Sequence, residues 1–69
     1  MRGTTIFFKD IINYEYDEDK TIKGVVLPIS LNDLITHENK EFIVKKVDWD
    51  FDQDMLYITA FLFKKSSLD

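Results

Sequence analysis

Aspartates and aromatic rings alternate one for one through Asp48-Trp49-Asp50-Phe51-Asp52, and this period of two constrains the fold more than any other feature. Successive side chains of a β-strand point to opposite faces, so a strand here turns Trp49 and Phe51 one way and Asp48 and Asp50 the other. One face is suited to a core, where Trp49 is expected to pack beside Phe51. The other is an acidic ridge in water.

The rest of the chain reads in the same way. Residues 4–16 are rich in β-branched and aromatic types. Ile6, Phe8, Ile12, Tyr14 and Tyr16 share a parity that only Asp10 breaks, which predicts one long strand or two strands joined at a bulge near Lys9 and Asp10. Asp17-Glu18-Asp19-Lys20 is expected as a turn. Residues 21–27 follow as a strand containing Gly24, and Pro28 ends it because proline donates no ladder hydrogen bond. Residues 30–35 are the one helix-like spot, a single turn with Ser30 as cap and Asp33 three residues on. His37-Glu38-Asn39-Lys40 reads as a hairpin turn, with Asn39 suited to positive φ. Residues 41–51 and 55–64 are the next strands, joined at 52–54. The last strand is apolar on both parities, so it is either central or covered, for instance by a second subunit.

These elements predict an all-β fold: a small antiparallel, SH3-like barrel or strongly bent sheet of four to five strands, with at most one short helical turn near residues 30–36. The layout Pro28 … Asn32-Asp33-Leu34-Ile35 … Glu41-Phe42-Ile43-Val44 … Val47-Asp48-Trp49-Asp50 resembles that of short β-barrel proteins from phages and mobile elements, in which a loop rich in Gly and Asp precedes a hairpin and a twisted ribbon. Asn32 stands where that loop usually has glycine. The resemblance spans about half of the chain and implies a small barrel of phage or mobile-element origin.

The 69 residues are expected to form one domain over residues 1–65, with 66–69 as a frayed tail. A domain of this size buries only about 60% of the surface its unfolded chain exposes, so self-association as a homodimer is a natural source of added stability. Ten aromatic residues exclude a disordered chain. Cysteine is absent, which removes disulfides and thiolate zinc sites and suits a reducing cytoplasm. No segment approaches the ~20 apolar residues of a membrane helix, so no membrane association is expected. The net charge is −4, and the only basic pairs are Lys45-Lys46 and Lys64-Lys65. Direct binding of nucleic acid is disfavoured on that balance.

The aspartate run invites a calcium reading, but an EF-hand loop started at Asp48 would place Gln53 where glycine is required and Thr59 where the bidentate glutamate belongs. No metal site is expected there. His37, the only histidine, is placed in a surface turn. Ser30 is better used as a cap than as a nucleophile beside it. Gly3 and Gly24 are the only glycines, so there is no phosphate-cradling loop. The expectation is a chain that is not an enzyme and uses no cofactor.

A binding surface is the stronger expectation. Residues 14–19 repeat the acidic and aromatic mixture of residues 48–54, and the two stretches hold eight of the thirteen carboxylates. The candidate partner surface is therefore Tyr14, Tyr16, Asp17, Asp48, Asp50, Asp52 and Asp54. A face of this kind attracts a basic protein partner and speeds its encounter. Two other readings fit the same pattern: a mimic of nucleic acid that inhibits a host enzyme, and a minor component of an assembly built by strand addition.

Overall fold

A computed structural model describes residues 2–10 and 17–65, the last two by their backbone alone. Among these residues there are five strands and no helix: β1 (Gly3–Lys9), β2 (Asp17–Lys23), β3 (Leu34–His37), β4 (Lys40–Asp50) and β5 (Met55–Lys65). They form one sheet in the order β2-β1-β5-β4-β3, strongly curled into a half-barrel. The all-β, strongly bent sheet expected from the strand patterns is the observed fold. Three pairings are antiparallel, and the central β1–β5 pair is parallel, with Thr4 beside Leu56 and Phe8 beside Ala60.

Period-two alternation separates the two faces. The concave face gathers Ile6 and Phe8 from β1, Phe42 and Val44 from β4, and Leu56, Ile58 and Ala60 from β5, all buried. Fully burying side chains of this kind contributes about 1.5–3 kcal/mol each. The open side of the half-barrel is covered by residues 24–33, whose Val26, Leu27 and Ile29 pack on this cluster. The buried hydroxyl of Thr4 fastens that cover. It donates to the Val25 carbonyl at 3.0 Å and accepts from the Leu27 N–H at 3.1 Å. A second tie runs to β4, where Asn32 N–H donates to Val44 O and Val44 N–H to Asp33 O.

β5 is central, one of the two placements that its apolar character on both parities allowed. Its convex side presents Tyr57 and Phe61, both half-buried, and Tyr57 stacks on Phe7 of β1 with ring centroids 6.1 Å apart.

Several boundaries depart from the sequence reading. The first strand ends at Lys9, and Asp10 is buried just beyond it. The continuation expected through Tyr16 lies outside the described residues. Residues 17–20 are not a turn but the first half of β2, where every residue pairs with β1, from Asp17 with Lys9 to Lys20 with Ile6. Ladder hydrogen bonding outweighs the low strand propensity of acidic residues, and an exposed edge strand tolerates charge well. β2 then stops at Lys23, because Gly24 adopts φ 76° and turns the chain off the sheet.

No helical turn forms at residues 30–35. Asp33 N–H bonds to Ser30 O, and Asn32 has φ 71°, the geometry of a type II turn, which a helix cannot continue through. Half of the expected capping chemistry survives, since the Asp33 carboxylate accepts the Ser30 N–H at 2.8 Å. The hairpin turn at 37–40 forms as expected, with positive φ at both Glu38 and Asn39, as a two-residue type I′ connection requires.

Candidate functional site

Two places on the half-barrel concentrate chemistry. The first is the far end of the β4–β5 hairpin. Past Val44 a bulge at Lys45 shifts the register, and alternation then resumes. Val47 and Trp49 stand opposite Ile58 and Leu56, while Asp48 and Asp50 stand opposite Tyr57 and Met55. The predicted division of faces is therefore present, but the predicted core role of the aromatics is not. Trp49 is 50% exposed and Phe51 is 79% exposed. β3 pairs with β4 only over residues 40–43, and the covering segment's backbone hydrogen bonds to β4 are made at Val44. Trp49 has core parity and stands opposite the buried Leu56, but it lies on the sheet's outer edge beyond the end of β3 and stays half-exposed. Phe51 has left the strand altogether and lies in the turn at 51–54.

The carboxylates of this run do not converge. Asp50 is spent on the turn, where its Oδ1 accepts the Gln53 N–H at 3.0 Å. Asp54 takes a left-handed φ of 57°, and its carbonyl accepts the Arg2 N–H. Asp48, Asp52 and Asp54 are exposed. A shallow hollow of about 440 Å³ lined by Arg2, Thr21, Lys23 and Met55 lies at the same end, so two cations stand near the acidic turn.

The second acidic stretch sits elsewhere. Tyr14 and Tyr16 lie outside the described residues. Asp17 is at the opposite end of the sheet, beside Lys9, with β1 and β5 between its strand and β4. Strand geometry puts Asp17 and Asp50 about 20 Å apart along the strands. The fold thus keeps Asp48, Asp50, Asp52 and Asp54 together and leaves Asp17 out of that group.

The second place is the seam where the two edge strands meet. Curling brings β2 and β3 together at one end of the half-barrel, and His37 of β3 bonds through Nε2 to Glu18 Oε1 of β2 at 3.1 Å. His37 is not a surface turn residue. It ends β3 on the concave parity, its side chain is only 17% exposed, and its ring lies flat on Phe8 with centroids 4.2 Å apart and planes 9° from parallel. Phe42 packs on Phe8 in an edge contact with centroids 4.8 Å apart. Glu38 Oε2 approaches the same Nε2 at 3.9 Å. Sequence reasoning missed this cluster because Glu18 and His37 are 19 residues apart and meet only through curvature of the whole sheet. The one local signal was Phe8, whose cross-strand partner is Glu18 once β2 is known to begin at Asp17.

No family model, curated protein or solved structure matches the chain. No helix among the described residues is long and apolar enough to cross a membrane.

Proposed function

We propose that this chain is a small non-catalytic protein-binding module, acting in the cytoplasm, that docks a partner on the outer end of β4 and the adjoining turn. The supporting observation is the exposure of Trp49 and Phe51 among Asp48, Asp52 and Asp54. Two large exposed rings on a 69-residue domain forgo burial worth about 1.5–3 kcal/mol each in a full core. Tryptophan beside acidic residues is also the composition of an interface hot spot with a steering rim. β4 beyond Val44 pairs on one side only, with β5, among the described residues, so its outer edge suits strand addition by an extended segment of the partner.

The mimic of nucleic acid gains less support, because Asp17 lies at the opposite end of the sheet from the 51–54 turn and Arg2 and Lys23 adjoin that turn. Homodimerisation fits the convex rings of Phe7, Tyr57 and Phe61, and sedimentation of the purified chain tests it: a monomer at high concentration removes it. For the docking surface, affinity capture from native lysate is compared between wild type and a Trp49→Ala, Phe51→Ala variant of unchanged circular dichroism. Loss of a wild-type set of partners, with intermediate loss for Asp48→Asn, Asp52→Asn, is the expected result. Capture of the same proteins by both aromatic forms overturns the assignment.

A further inference from the structure

We propose that Glu18, His37 and Glu38 form a binding site for a divalent late first-row transition ion of the zinc type, which pins the two edge strands of the half-barrel together. One ligand atom from each residue, His37 Nε2 and one oxygen from each glutamate, lies within 4.8 Å of the other two. Ligands of a tetrahedral ion at about 2.0–2.1 Å stand roughly 3.3 Å from one another. The Nε2–Glu18 distance of 3.1 Å already meets this, and the Nε2–Glu38 distance of 3.9 Å needs a shift of well under 1 Å. Glu18 and Glu38 are open to an ion from solvent, with side chains 42% and 53% accessible.

The donor set selects the ion. One imidazole and two carboxylates suit zinc, nickel or copper, whereas calcium and magnesium prefer oxygen alone. The imidazole is already oriented. Its flat stack on Phe8 restrains the ring plane, and its Nε2 lies 3.1 Å from Glu18 Oε1 and 3.9 Å from Glu38 Oε2. Three protein ligands leave a fourth position for water. The hydrogen bond between His37 and Glu18 is the competing state, and metal replaces it by displacing whatever proton Nε2 carries. Glu18 belongs to β2, whereas His37 and Glu38 belong to β3 and its turn, so an ion held here cross-links the sheet's two edges.

The test is titration of the chelator-stripped full chain with zinc chloride by calorimetry, with thermal melts beside it. One ion per chain, a rise in the melting temperature and displacement of the His37 ring resonances are expected. Loss of a partner one step removed from a metal commonly costs about 10–100-fold in affinity, so removing a direct ligand by Glu38→Gln should cost at least about tenfold. His37→Gln should abolish specific binding. If that variant fails to fold, Glu38→Gln in the exposed turn and Glu18→Gln decide the question. Calcium at equal concentration should produce no shift. Absence of heat and of a melting shift with zinc overturns the proposal. So does binding that Glu38→Gln and Glu18→Gln leave unchanged, which would place the ion on other carboxylates.

Discussion

His37→Ala in a buffer containing chelator tests whether the seam holds the half-barrel closed by itself. The substitution removes a ring stacked on Phe8 at 4.2 Å and a hydrogen bond to a half-exposed glutamate. Aromatic stacking contributes about 0.5–1.5 kcal/mol beyond area burial. A solvent-exposed polar pair contributes about 0.2–1 kcal/mol. The expected loss is therefore about 1–2.5 kcal/mol, against a total stability of about 3–10 kcal/mol for a domain of this length. Each kcal/mol lowers the melting temperature of such a domain by about 4–8 °C, so a fall of about 5–15 °C is expected. Glu18→Gln keeps an acceptor oxygen and should cost under about 0.5 kcal/mol.

The location of the loss discriminates a clasp from an ordinary core residue. β2 and β3 are the edges of the sheet and β5 is its centre. In native-state hydrogen exchange, amides of β2 and β3 should lose protection by local opening in His37→Ala before those of β5 do. Equal loss across β2, β3 and β5 would show that His37 acts only through global stability. A melting temperature within 2 °C of wild type would show that the edges are held by the backbone alone.

Four more outcomes are expected. Gly3→Ala should cost about 2 kcal/mol or more by urea denaturation, because a Cβ there strikes the Ile22 carbonyl oxygen and φ is 151°. Glu38→Asn should raise stability by about 1 kcal/mol in chelator, since Asn tolerates the left-handed φ of 53° that Glu38 is forced to adopt. Adding zinc should reverse that ranking if Glu38 is a ligand. Val44→Ala and Ile58→Ala, both at fully buried positions, should cost about 2–4 kcal/mol, whereas Phe51→Ser in the exposed turn should stay within about 0.5 kcal/mol. Acrylamide should quench Trp49 fluorescence readily in the folded chain, and a blue-shifted, shielded emission would contradict its half-exposed setting.

What the sequence disclosed and what it hid divide along physical lines. Alternation through Ile6 and Phe8 announced β1 and its buried parity, whereas residues 55–63, apolar on both parities, announced a central or covered strand without showing which face is buried. The type I′ turn was visible in Asn39. β2 was misread because its acidic residues resemble a turn, and only pairing with Lys9 through Ile6 makes them a strand. The parallel β1–β5 contact has no local signature, since its partners come from the two ends of the chain. The seam has none either: Glu18 and His37 meet because the sheet curls, and curvature is a property of five strands together.

The exposure of Trp49 follows from unequal strand lengths. β4 and β5 each run 11 residues, β1 and β2 run 7, and β3 runs 4. A short β3 cannot follow β4 to its end, so residues 45–50 form an outer edge among the described residues. Natural sheets blunt such edges with a bulge and with charge. Both are present here, in the bulge between Val44 and Lys46 and in Lys45, Lys46, Asp48 and Asp50. These devices oppose indiscriminate pairing, yet Trp49 stands among them, exposed on the parity that faces the core. A sequence selected only against aggregation would place a polar residue at that position. The combination of charged edge and exposed indole is what the proposed docking would use: the charges would reject most strands, and the ring would reward the one that covers it.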